Sequence, residues 1–151
     1  MAGLAFEALD RHVVAGRGEE PCIYFPSGSM TFAEFLTDTA ALAGGLRRLN
    51  GDGALAVDLQ LEANSDRLRL LLALLRLEVV PTSGGSIIIT GSPAAVRVGN
   101  EEVDLESLRK IGQVDPEPAP RGGDEHLIEL LGDVDRAWYE ALCAGRAVTV
   151  K

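Results

Sequence analysis

The apolar positions of the chain change period several times, and those changes predict the order of its elements. Leu4, Leu9, Val13 and Val14 recur at helical spacing over residues 4–15, after which Gly16 and Gly18 end the helix. Cys22 to Phe25 is a short uninterrupted apolar run, the pattern of a buried strand, and Pro26-Ser27-Gly28-Ser29 follows as a turn. Thr31 with Glu34 three residues on forms a capping box, in which each side chain satisfies a backbone N–H that the helix leaves orphaned. Phe32, Phe35, Leu36, Thr39, Leu42, Ala43, Leu46 and Leu49 carry that helix to Asn50-Gly51. Leu55, Val57, Leu59 and Leu61 then switch to period two, a strand with one buried face. Asn64 or Ser65 caps a second helix reaching about Leu77, apolar on most of its circumference and therefore expected to be buried on most sides. Val79-Val80 and Ser86 to Thr90 read as further strands joined by Thr82-Ser83-Gly84-Gly85. Strand–helix–strand–helix–strand order predicts parallel pairing, hence a single α/β domain with a short mixed, partly parallel sheet flanked by helices.

The second half carries weaker signals. Ala95 to Val98, the turn Gly99-Asn100-Glu101 and Val103-Asp104 read as a hairpin, and Asp104 caps a short helix from Leu105 to Ile111. More than half of residues 115–123 are Pro or Gly, which marks a linker. Beyond it, 124–131 and 133–144 read as two helices broken at Gly132, and 147–150 as a last short strand.

Composition narrows the function classes. Fourteen Lys+Arg against 23 Asp+Glu leave a net charge of −9, so nucleic acid and anionic membrane surfaces, both polyanions, are excluded as expected partners. Cys22 and Cys143 lie in separate apolar runs and form no metal-ligand spacing, the pattern of free buried thiols in a reducing compartment. The N-terminus lacks a basic leader, and the longest apolar stretch, Leu70 to Leu75, is too short to span a bilayer. The expectation is a cytoplasmic protein of 151 residues.

Three stretches carry a family resemblance. They are residues 9–21 (Leu-Asp-Arg-His-Val-Val-Ala-Gly-Arg-Gly-Glu-Glu-Pro), Ser29-Met30-Thr31-Phe32-Ala33-Glu34-Phe35-Leu36, and Asn64-Ser65-Asp66 through the leucine-rich run to Val79-Val80-Pro81. In order and spacing they resemble, across residues 4–81, the N-terminal part of the AMP-forming adenylating superfamily, the acyl-CoA synthetases in particular. Two positions depart from that pattern: Glu78 stands where the family usually has glycine, and Asp66 where it has proline. The resemblance implies an adenylating-enzyme-like α/β subdomain over 1–94 and a divergent α+β extension over 95–151 that packs on the same domain and includes the linker. Full-length relatives use ATP, Mg and CoA to turn a carboxylate into an acyl-adenylate and then a thioester. The phosphate loop, the ribose-binding aspartate and the catalytic lysine of that family have no counterpart here. The chain is therefore expected to be a truncated or shortened relative of an acid–CoA ligase without adenylation activity of its own, needing no cofactor by itself. The alternative is a non-catalytic module that binds a protein partner or a second copy of itself.

Individual residues add little chemistry. Thr82-Ser83-Gly84-Gly85-Ser86 resembles a truncated phosphate loop, with Ser83, Gly84 and Gly85 as candidate anion-cradling residues. No lysine follows before Lys110, which favours a plain inter-strand loop. His12, beside Arg11 on the polar side of the first helix, reads as a solvated or helix-end residue, and His126 as an exposed first-turn residue rather than a base or metal ligand. The acids Asp133 and Asp135 read as an N-cap and a dipole-complementing first turn, and Trp138 as core. No residue is assigned a catalytic or metal-binding role.

Overall fold

The computed structural model of the chain describes residues 3–51, 54–118 and 125–150. The first helix is irregular. It is π-helical over Phe6–Asp10 and Val13–Arg17, and Gly16, at φ +86°, interrupts the second segment. There follow β1 (Pro21–Phe25), β2 (Gly28–Thr31), α1 (Phe32–Asn50), β3 (Val57–Gln60), α2 (Ser65–Arg76) and β4 (Ile87–Thr90). The second half holds β5 (Ala95–Val98), β6 (Glu101–Asp104), α3 (Leu105–Gln113), a 3-10 helix (Glu125–Leu130), α4 (Asp133–Cys143) and β7 (Val148–Thr149).

The α/β class is as expected, but the strands divide between two mixed sheets rather than forming one. In the first, of order β2-β1-β7, β2 returns antiparallel along β1, and β7 lies parallel to β1 on its other side. In the second, of order β3-β4-β5-β6, β3 and β4 are parallel across α2, and two antiparallel hairpins complete it. Pro26 and Ser27 turn as expected, but Gly28 and Ser29, also read as turn, begin β2, so β1 fills both its edges with β2 and β7 and has none left for β3. Val79-Val80 forms no strand. The α2 C-terminus closes in a Schellman motif, with Val79 N–H bonded to the Leu74 carbonyl at 2.9 Å and Glu78 N–H to that of Leu75 at 3.0 Å.

Two apolar clusters fill the interior, and α2 lies between them. Leu68, Leu71, Leu72 and Leu75 face one, with Phe32, Phe35, Ile23 and Leu142. Leu70, Ala73 and Leu74 face the other, with Leu42, Leu46, Val57, Ile87, Ile89 and Val96. This is what the near-continuous apolar circumference of α2 implies: a helix with no solvent face must have core on both sides.

The cap residues stand where sequence places them. Thr31 and Glu34 bond reciprocally at 3.1 and 3.0 Å, Asn64 accepts from Arg67 N–H at 3.0 Å, and Asp104 from Ser107 N–H at 2.7 Å. Residues 115–118, the described part of the expected linker, run along α1, where Glu117 N–H bonds the Ala40 carbonyl at 3.1 Å. The remainder, 119–123, and the expected helix start at Asp124 lie outside the described residues. Gly132, not Asp133, is the N-cap of α4. Its buried face carries Asp135, Tyr139 and Leu142, which leaves Trp138 only partly buried at the edge of the first cluster.

Candidate functional site

The Thr82–Ser86 loop connects α2 to β4 beside the start of β3. Thr82 N–H donates to the Val57 carbonyl at 2.8 Å, Gly85 N–H lies 3.4 Å from the Thr82 carbonyl oxygen, and Ile87 N–H donates to the Ala56 carbonyl at 3.1 Å. Gly84, at φ +77°, donates its N–H to Asp58 Oδ2 at 3.1 Å, and Gln60 Nε2 donates to the same oxygen at 3.0 Å. Gly85 is close to β3; a Cβ there would sit 2.7 Å from Ala56 backbone atoms. Of the three candidate residues, Gly84 and Gly85 thus have their amides engaged within the protein. The position an anion would take over Gly84 is held by a carboxylate of the chain itself. A phosphate approaching it would meet Asp58 rather than a cation.

His12, Tyr139, Cys22 and Cys143 pack into or against the interior. His12 is buried, contrary to the expectation of a solvated residue, because it continues the i, i+4 stripe Leu4–Ala8–His12 that packs on the core. Its Nε2–H donates to the Leu142 carbonyl at 2.7 Å, and its ring lies 4.7 Å from that of Phe32. Burial holds its pKa below the ordinary histidine value, so the ring is neutral. Tyr139 donates its hydroxyl to the Leu4 carbonyl at 3.0 Å, and burial raises its pKa. Burial pushes the Cys22 thiol up to about 12 and raises that of Cys143. Unreactive thiols and a hydrogen-bonded neutral imidazole suit packing, not nucleophilic attack. His126 is exposed on the 3-10 helix, with Glu129, Arg136 and Glu140 around the same shallow depression. Among the described residues no group of three His, Cys, Asp or Glu side chains is placed to hold a metal ion. No helix among them is long and apolar enough to cross a membrane.

Composition and spacing did not reveal the three arginines of α2 as organising residues. Arg67 forms a bidentate pair with Asp135 of α4 at 2.9 and 2.8 Å and donates to the Leu59 and Leu61 carbonyls at 3.1 and 2.8 Å. Asp135 is therefore an interior ion-pair partner rather than a dipole-complementing surface acid. Arg69 pairs with Asp38 of α1 at 2.8 and 2.9 Å. Arg76, 1% exposed, pairs with Asp10 of the first helix at 2.7 and 3.2 Å. Three arginines on so apolar a helix were the available signal, since a buried charge needs a partner.

The Arg76–Asp10 pair closes the inner end of a cleft of about 300 Å³ between α1 and residues 116–118. Leu36, Ala40 and Ala41 form one wall, Pro116 and Pro118 the other, and the Gln113 side chain stands at its margin.

No family model matches the chain, and no curated protein matches it either. Among solved structures it is similar to an anthranilate CoA ligase crystallised with anthranoyl-AMP, with a TM-score of 0.46 and 14% identity. The match covers 52% of this chain and 15% of that ligase, a distant likeness to one small part of an adenylating enzyme.

Proposed function

We propose that this chain is a scaffold relative of the AMP-forming acid–CoA ligases that carries out no adenylation by itself. ATP, Mg and CoA belong, in this reading, to full-length relatives. The observation that carries the proposal is the bond from Gly84 N–H to Asp58, which puts an internal carboxylate in the loop where a phosphate would need a donor. The sequence resemblance over residues 4–81 supplies the family, and the neutral interior state of His12, Cys22 and Tyr139 is consistent with a structural role for each. Calorimetry with ATP–Mg tests it: no saturable heat is expected, and micromolar binding would overturn it. A second reading, a module that docks on a protein partner or on itself, is favoured by Leu130 and Val134. These side chains are 66% and 49% exposed at the junction of the 3-10 helix and α4. Light scattering decides whether that surface pairs copies of the chain, because a monomer at high concentration rules out self-association.

A further inference from the structure

The helical period of α4 separates two sides. Asp135, Tyr139 and Leu142 define the buried one, and Val134, Ala137 and Ala141 fall in one row turned away from it. Val134 is half exposed, Ala137 is exposed, and Ala141 and Trp138 are only partly covered at the edge of the first cluster. Leu130, two residues before the Gly132 cap, is the other exposed apolar side chain of this region. Beside the row stand Asp133 and Glu140, two helical turns apart, a separation of about 10 Å along the axis. Both are exposed, as is Glu129 on the 3-10 helix, and among the described residues none of the three forms an ion pair. Neither element contains a lysine, and Arg136, the arginine of α4, donates Nη2–H inward to the Ile128 carbonyl at 3.2 Å. An apolar row with unpaired carboxylates spaced by whole turns is complementary to a second helix that has an apolar row and cations at the same spacing. The alanines of the row let a partner's backbone approach closely. A second copy of this chain fits worse, because it brings the same carboxylates to the contact and its own net charge of −9.

We propose that the exposed side of α4 docks a basic amphipathic helix of a partner protein. The apolar row of that helix lies along Val134, Ala137 and Ala141, and its Lys or Arg side chains meet Asp133 and Glu140. The inference rests on the second reading above, a module that docks on a partner, and names the chemistry of that partner.

Backbone amide NMR of the whole chain tests this, with a synthetic amphipathic helix of leucine and lysine as the probe and the same peptide with glutamate for lysine as its control. The lysine peptide is expected to shift the amides of Val134, Ala137 and Ala141 saturably and to change the fluorescence of Trp138, the one tryptophan of the chain. The glutamate peptide is expected to bind at least about tenfold more weakly. Asp133→Asn with Glu140→Gln removes the charges at nearly constant shape and should weaken the lysine peptide about fivefold, a difference that high salt erases. Ala137→Arg, at an exposed position in the middle of the row, should abolish the Val134 and Ala141 shifts. Shifts confined to residues away from α4, affinity unchanged in the Asp133→Asn/Glu140→Gln variant, or no saturable shift would each overturn the inference. Equal or tighter binding of the glutamate peptide on α4, or α4 amides that move with protein concentration when no peptide is present, would overturn it too. Either of those two results would still leave a docking module, with an acidic partner or a second copy in place of the basic helix.

Discussion

Glu78 and Gly145 occupy the same place in two copies of one motif. Each follows a helix C-cap, with the C″ amide bonded to the C3 carbonyl: Val79 to Leu74 and Arg146 to Ala141, both at 2.9 Å. Each has a left-handed backbone, Glu78 at φ +59° and Gly145 at φ +74°. Glycine adopts that conformation without penalty, while a side chain costs about 1–2 kcal/mol there. Glu78→Gly is therefore expected to stabilise the protein by about 1 kcal/mol in urea denaturation, and a loss of stability would show that the side chain outweighs the backbone strain. This is also the position where the adenylating enzymes that the sequence resembles carry glycine. His12 makes a second prediction at this scale. Its folded pKa lies below the unfolded value of about 6.5, so the unfolded chain takes up the proton first and stability falls as pH drops below that value. His12→Gln keeps a donor for the Leu142 carbonyl but does not titrate. The stability difference between wild type and variant should change between pH 7 and 5, and a pH-independent difference would contradict a buried neutral imidazole.

At the scale of elements, two contacts set how the helices sit. Gly112 of α3 presses against α1 so closely that a Cβ there would overlap the Ala41 carbonyl oxygen, with Gly45 opposite it. Gly112→Ala must push the two backbones apart and is expected to cost at least about 1–3 kcal/mol, measured by thermal denaturation. Asp135→Ala leaves the Arg67 guanidinium in the interior without its carboxylate and is expected to cost about 3 kcal/mol, whereas a change under 0.5 kcal/mol would place that pair in solvent. The helix starts at Thr31, Asn64 and Asp104 were readable because a cap and its partner lie three residues apart. The Arg67–Asp135 pair was not, because 68 residues separate its members and nothing local distinguishes an acid in a first turn from an acid reaching another helix. The exposed Val14 and buried His12 reverse what polarity alone suggests; position on the Leu4–Ala8–His12 stripe decided burial. The candidate anion loop was legible as a glycine-rich turn, but its occupant, Asp58, lies on a strand 26 residues earlier.

For the whole molecule, the consequence of α2 lying between two cores is cooperativity. Leu71→Ala opens space in the cluster that includes Phe32 and Leu142, and Leu74→Ala in the one that includes Val57 and Ile89. Each should lower stability by about 2–5 kcal/mol in one shared transition. Trp138, the one tryptophan, reports on the first cluster, while far-UV circular dichroism reports on both. Coincident curves are expected, and separated midpoints would show that the two sheets unfold independently. The division into two sheets escaped the sequence because strand order within the first half is compatible with one sheet. Only the capture of β1 by β2 and the distant β7 separates them. The most direct test of a scaffold without its own adenylation chemistry follows the Gly84 and Gly85 amides by NMR during titration with ATP–Mg. With Gly84 N–H bonded to Asp58 and Gly85 N–H to the Thr82 carbonyl, both resonances should stay unmoved at millimolar nucleotide, and a saturable shift of either at micromolar concentration would contradict the account.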